Sequence, residues 1–421
     1  MLNLQRSRDA AMPFIMLTVL IDMMAIGVII PVLPPLVAAF SEAPADQAYW
    51  YGVAACTFGA ATFVFSPILG ALSDQFGRRR VLLLCFFGLA LSFFGTALAT
   101  TLSGLIAWRI VGGAMQANAA IASAYVADIS APEQRAKRFG LLGAMMGLGF
   151  ILGPVMGGLL GAIDLHLPFY VSGALALLNL AYGYFVLPES LPEGSRKPLD
   201  WRTANPVASL GKLAQLRGMG PLVGVVAFSG LAQFVLYTCW VLYGRFKFGW
   251  GPSESGWSLA AVGLVALAVQ GFLLGRILKV ISPPRLAVIG LVSSSLAYFL
   301  WGAATEGWMM FVVIGVNIFG VTVATTVQSM ISSAADSTSQ GQTMGAVTSL
   351  NSLMAVLAPV LGAPLLAVVS HLPPSDWRMG APFFFCAALQ LVSLYLAVLH
   401  LRQQRNKDQG LTLPGNPAKV S

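Results

Sequence analysis

The chain has 421 residues, of which 57% are hydrophobic and only 10% charged, and its mean hydropathy is +0.78. A water-soluble globular protein of this length carries far more charge, so that class is excluded. The net charge of +8 does not indicate a nucleic-acid partner, because Lys and Arg fall in short clusters between apolar runs, as the positive-inside rule of membrane proteins describes.

Apolar runs cover roughly 11–40, 48–69, 80–100, 103–126, 140–162, 167–187, 221–243, 257–274, 285–304, 308–329, 345–369 and 381–401. Each is about twenty residues, enough to cross a hydrocarbon core of about 30 Å. Without water the backbone must satisfy its own hydrogen bonds, which makes the runs helices. Alternating polar and apolar residues are absent, which excludes a β-barrel. The expected fold is an all-α membrane protein with twelve transmembrane helices in two six-helix pseudo-symmetric bundles. The bundles are expected at 1–187 and 221–402, with a cytoplasmic linker at 188–220 and a cytoplasmic tail at 403–421. Pro206 to Leu216 reads as a short interfacial helix within the linker.

The opening MLNLQRSRDAAMP precedes a run too long for a signal-peptide core, so the first helix is expected to be retained with its N-terminus in the cytoplasm. Alternate loops then hold most of the basic residues, among them Arg78, Arg79, Arg80, Arg135, Lys137 and Arg138, while the opposite loops hold only Arg245, Lys247 and Arg378. Cys56, Cys85, Cys239 and Cys386 lie in apolar runs without metal-ligand spacing and read as small buried residues.

An internal repeat supports two halves. A shift of 275 − 70 = 205 carries Gly70 to Gly275, Gly140 to Gly345, Pro154 to Pro359 and His166-Leu167-Pro168 to His371-Leu372-Pro373. Parallel six-helix repeats of this kind place binding sites between the halves near the midplane.

Asp22 is the carboxylate that falls near the middle of an apolar run. Such a residue costs roughly 2.5–3.5 kcal/mol to insert, which makes it a functional candidate by default. We read it as the titratable group of a transporter. Arg109, deep in the fourth run, needs a carboxylate, carbonyl or water as partner, and is expected to set the electrostatic field around the proton site.

Three further patterns carry a resemblance. GALSDQFGRRR, from Gly70 to Arg80, joins the second and third spans; Gly70 and Gly77 permit a tight turn, and Asp74 can pair with Arg78 or cap a helix. The pattern resembles the signature loop of the major facilitator superfamily. Its second-half counterpart, GRILKVISPPR, lacks the acid. Gly149, Gly153, Pro154, Gly157 and Gly158 put glycines four apart on one helix face, where another backbone can approach; this resembles the antiporter motif of that superfamily. Together with the stretch from Asp22 to Pro34, these patterns resemble the tetracycline-efflux-like, twelve-helix drug:proton antiporters. Asp128 and Arg135 are expected to help gating at the cytoplasmic edge.

Gln116, Asn118, Gln233, Tyr237, Trp240, Gln270, Asn317, Gln328 and Asn351 are the polar candidates for a central cavity. For Tyr237 and Trp240 an interfacial aromatic belt is the competing reading. His166 and His371 read as parts of a duplicated turn. Against the tetracycline exporters the chain departs at three positions, where Ser92, Ala266 and Ser294 stand in place of an acid, a histidine and an acid. What the resemblance implies is a proton-driven antiporter of the bacterial inner membrane, both termini cytoplasmic. It would export small amphiphilic or drug-like molecules and give multidrug or tetracycline resistance. Export of an endogenous metabolite such as a siderophore, a non-transporting sensor and a facilitative uniporter are the alternatives. No nucleophile with a base, metal cluster or phosphate-binding loop is visible, so enzyme chemistry, a cofactor and a bound metal are not expected. The expected partners are a small-molecule substrate, protons and the bilayer, with the protein a monomer.

Overall fold

Twelve apolar runs fold into helices that follow the expected pattern closely. The computed structural model describes residues 2–192, 194, 196, 220–334 and 340–408. Every regular element among them is helical. The segment from Pro206 to Leu216 lies outside the described residues.

The first group of helices comprises α1 (Leu2–Ile29), α2 (Leu33–Ala38), α3 (Pro44–Phe76), α4 (Arg78–Ala97), α5 (Leu102–Ala114), α6 (Asn118–Ile129), α7 (Pro132–Ile163) and α8 (Leu167–Phe185). The second comprises α9 (Gly220–Phe248), α10 (Pro252–Ala268), α11 (Leu274–Val280), α12 (Pro283–Ala303), α13 (Gly307–Val316), α14 (Val323–Ala334), α15 (Gln340–Val369) and α16 (Ala381–Asp408). Ten spans are long and apolar enough to cross a membrane, and α13 with α14 forms an eleventh that is bent by 58°. The nineteen residues of α8 fall just short by apolarity, since Asn179 and three tyrosines interrupt it, yet its rise of about 28 Å suffices to cross. It packs against α1 and α4 as the twelfth segment. The chain is a multi-pass membrane protein.

Several helices are broken for reasons visible in the chain. Pro34 and Pro35 start α2 after a turn, because proline suits the first turn of a helix and cannot continue the previous one. Between α5 and α6 the helix lapses at Met115–Ala117, and between α13 and α14 it lapses around Asn317–Phe319 into a 3-10 turn. Between α10 and α11 a π-helical turn runs from Val269 to Leu273. Irregular backbone at such depth survives only where protein or a cavity covers it.

The two groups of helices meet along two seams, α7 on α10 and α3 on α15. Both are built from small residues. A Cβ on Gly158 would stand 3.1 Å from the Gly256 Cα, and a Cβ on Gly256 would run into the Pro154 carbonyl. The second seam copies the first: a Cβ on Gly52 would collide with Ala363 and approach the Pro359 carbonyl at 3.5 Å. The shift of 205 carries Pro154 to Pro359 and Gly158 to Ala363, so the repeat in the sequence appears as a repeat in the packing.

Gly256→Val should therefore lower the melting temperature in detergent, by a destabilisation of about 1–3 kcal/mol. Gly275→Val, where a Cβ meets only open space, should leave it unchanged. Equal melting temperatures for the two variants would show that the seam tolerates the added volume.

Candidate functional site

Helix α1 carries Asp22, which is only 5% exposed. Three neighbours grip α1 on different sides. Helix α7 presents its glycines: a Cβ on Gly149 would meet the Met23 side chain and the Leu20 carbonyl, one on Gly153 would meet Gly27, and one on Gly157 would meet the Val28 backbone. Helix α8 anchors the backbone of α1, with Ser172 Oγ donating to the Ala25 carbonyl at 2.8 Å and Asn179 Nδ2 donating to the Thr18 carbonyl at 2.9 Å. Helix α6 supplies the partner of the acid: Asn118 Nδ2 donates to Asp22 Oδ1 at 2.6 Å.

Asn118 is the first residue of α6, directly after the break. The amide N–H gives the carboxylate a hydrogen bond at this point. The amide can serve the protonated acid as well. Asn118 Oδ1 is buried without a partner among the described residues, and a flipped amide would offer that oxygen to a carboxyl O–H. Asn118, expected in the substrate cavity, is instead the companion of Asp22. The sequence shows its residue type but not the break that aims it.

Arg109, expected beside the proton site, is not paired with Asp22 in this conformation. Its guanidinium carbon stands 4.1 Å from the centroid of the Phe58 ring. It is 8% exposed, and its Nε is buried without a hydrogen bond. No carboxylate forms a salt bridge with it among the described residues. Gly112 and Gly113 let α5 approach close to α3 and α4; a Cβ on Gly113 would run into the Phe58 carbonyl. Ser92, fully buried, donates to the Trp108 carbonyl at 2.7 Å, so it closes a helix contact and does not face the cavity described below.

The loop of Gly70, Asp74, Gly77 and Arg78 forms a compact charged cluster where α3 gives way to α4. Arg78 contacts Asp74 Oδ1 at 2.5 Å and Asp128 Oδ2 at 3.1 Å, and it donates to Ser73 Oγ at 2.6 Å. Ser190 Oγ donates to the same Asp128 oxygen at 3.1 Å. Gly77 has φ +100°, a conformation that favours glycine, and a Cβ there would strike the Glu189 carboxylate. Glu189 accepts from the backbone N–H groups of Arg78 at 2.9 Å and Arg79 at 3.2 Å, and so caps α4 from a distance. Glu189, Ser73 and Ser190 complete this cluster without having been singled out from the sequence; the one available signal was an acid placed immediately after the sixth span. Arg79 adds hydrogen bonds to the Gly183 and Tyr184 carbonyls. Gly70 has open space around it, so close helix approach is not its role here; its carbonyl accepts from Ser73 Oγ. Arg135 is exposed on α7 and does not join the cluster.

A cavity of about 390 Å³ lies within the second group of helices. Seven expected residues line it: Gln233, Tyr237, Trp240, Gln270, Asn317, Gln328 and Asn351. Gln116 and Asn118 do not, because the first group of helices contributes nothing to its wall. Ala266 and Ser294 are on the wall too, as are Ser229 and Gln390. Gln390 was legible in principle as a lone amide in the last apolar run. Both backbone irregularities of this half open here: Gln270 belongs to the π-helical turn, and Asn317 and Gly320 belong to the break. Ser293 Oγ holds the Asn317 side chain at 3.0 Å. The aromatic side of the wall is fixed by hydrogen bonds. Trp240 Nε1 donates to Ser258 Oγ at 2.9 Å, Trp301 Nε1 to the Met310 carbonyl at 3.1 Å, and Tyr298 to Gln233 Oε1 at 3.3 Å. Trp240, 2% exposed, is therefore a core and cavity residue, not part of an interfacial belt.

A membrane-spanning helical bundle with an internal repeat, a polar break in each half and an amphiphilic cavity has the form of a small-molecule transporter. The chain belongs to the Major Facilitator Superfamily, whose family model matches residues 15–359 and 222–415. It is 36% identical to the class C tetracycline resistance protein of Escherichia coli, over 90% of this chain and 93% of the relative. It is 33% identical to the class D tetracycline resistance protein of Salmonella ordonez, over 87% of this chain and 92% of the relative. The structure of the human organic anion transporter TETRAN shares the fold, with a TM-score of 0.68 at 23% identity, covering 93% of this chain and 99% of that one. The protein is a transporter of the major facilitator type.

Replacing Glu189 with Ala should uncap α4. A lost cap costs about 0.5–2 kcal/mol, and amide hydrogen exchange at Arg78 and Arg79 should accelerate by roughly tenfold. Unchanged exchange at both amides would show that the carboxylate is not their acceptor in solution.

Proposed function

We propose that this protein is a proton-driven exporter of small amphiphilic, drug-like molecules in the bacterial inner membrane, with both termini in the cytoplasm. The observation that carries the reading is the setting of Asp22. It is a buried acid held by an amide that can serve both of its protonation states, on a helix clasped by the glycines of α7. That same α7 forms one of the two seams between the halves, so a change at α1 has a direct mechanical route to the interface. Deprotonation of Asp22 on the inner side accompanies loading of the cavity; the halves rock about the seams; protonation from outside accompanies release. The names of the relatives, tetracycline resistance proteins, support export as the direction. Arg109, buried over Phe58 without an acidic partner, is a charge available to a different partner in another conformation.

Because the cavity and Asp22 sit in different halves, substrate and proton do not compete for one group. Coupling runs through conformation.

In proteoliposomes, Asp22→Asn should abolish substrate-dependent proton flux while leaving substrate binding within about threefold of the unaltered protein. Asn118→Leu should retain export at a reduced rate with an altered pH profile. Full proton-driven export by the Asp22→Asn protein would remove Asp22 from the mechanism. Transport that ignores the pH gradient in the unaltered protein would indicate a uniporter.

A further inference from the structure

We infer that the cavity in the second half selects uncharged aromatic amphiphiles, and that their exchange for a proton is electrogenic. The inference rests on the export reading above and specifies its substrate class.

The chemistry of the wall carries it. No Asp, Glu, Lys, Arg or His is among the residues lining the cavity. The charged side chains described in this half stand elsewhere: Arg245, Lys247 and Glu254 around the turn from α9 to α10, Arg276 and Lys279 on α11, Arg285 at the start of α12, Glu306 before α13, Asp376 and Arg378 before α16, and Arg402 near the end of α16. A charged ligand buried in such a cavity would lose its hydration without gaining a counter-charge, which is costly in a low-dielectric site. The polar groups that are present are amides and hydroxyls. An amide offers both a donor and an acceptor, so Gln233, Gln270 and Asn351 suit a ligand with hydroxyl and amide groups of its own.

The aromatic wall specifies the other part of the ligand. Tyr298 stacks on Trp301 with centroids 5.6 Å apart and an interplanar angle of 25°, and Trp240 meets Trp301 edge-on at 5.2 Å. The hydrogen bonds that pin these rings leave a pre-formed face suited to a flat apolar group. A volume of about 390 Å³ is within the range of small-molecule sites.

The charge balance follows. Asp22 is the carboxylate buried in the middle of a span, so one proton enters per cycle on this carrier. If the outgoing substrate is uncharged, one positive charge crosses inward in each cycle. The membrane potential then drives export directly, even at equal pH. A singly charged cation would make the exchange electrically silent.

The test uses purified full-length protein in vesicles oriented with the cytoplasmic face outward, so that export fills the lumen. Chloramphenicol is the uncharged probe, a nitroarene with an amide and two hydroxyls; ethidium is the planar cationic probe. At equal pH, an interior-positive potential of 100 mV set with potassium and valinomycin should raise the chloramphenicol accumulation ratio up to about fifty-fold, the effect of one charge. Ethidium should be moved poorly. Gln270→Glu, a near-isosteric change on the cavity wall, should shift the ethidium-to-chloramphenicol preference by about tenfold towards ethidium. Three results would overturn the inference: ethidium moved in preference to chloramphenicol, chloramphenicol export indifferent to voltage, or an unchanged preference in Gln270→Glu. If neither probe nor tetracycline produces any proton movement, the export reading itself fails, and the inference with it.

Discussion

A carboxylate in hydrocarbon must be compensated wherever it sits, and that requirement organises the first half of this protein. Asp22 is held locally by one amide, carried by a helix that begins only because the preceding helix lapses at Met115–Ala117. The remaining contacts of α1 position the acid: α8 ties its backbone through Ser172 and Asn179, and α7 brings its own backbone against it. A larger residue on the α7 face would push α1 away and take Asp22 with it. The glycines and the acid are thus one device, in which close backbone approach sets the position of a charge.

The second half repeats the geometry and changes the chemistry. Its broken helix lapses at Asn317, close to the position that the shift of 205 assigns to the first break. There the break, with the π-helical turn at Gln270, opens an uncharged amphiphilic cavity. The same architectural interruption holds an acid in one half and lines a cavity in the other. Asp22 has no twin in the second half: the shift places Ala227 at its position.

The seams join these two centres. Pro154 and Gly158 on one side, and Pro359 and Ala363 on the other, remove the side-chain bulk that would hold the halves apart. Packing built from small residues allows close contact without deep interlocking. The Arg78 cluster lies wholly within the first half, where Glu189, Asp74 and Asp128 share the positive charge of the loop and the start of α4.

Much of this was legible in the chain, for reasons that are local. The span positions follow from the length of apolar runs, the halves from the repeat at 205, and Asp22 from the rarity of a carboxylate inside such a run. The glycine spacing of α7 likewise announces a helix that others approach closely. What the chain could not show was which partner each polar residue takes. Asn118 and Gln328 are the same kind of evidence in a sequence, yet one holds Asp22 and the other lines the cavity. Arg109 is plainly buried from its position, but its partner is the Phe58 ring and not the acid. Glu189 looks like a linker residue and turns out to cap α4 across more than a hundred positions. The sequence by itself determined the helices, their number and the cost of their charges, because those depend on the composition of single segments in lipid. Only the tertiary structure decided the pairings, because a hydrogen bond of 3 Å depends on the angles and breaks of two helices at once, which neither segment encodes alone.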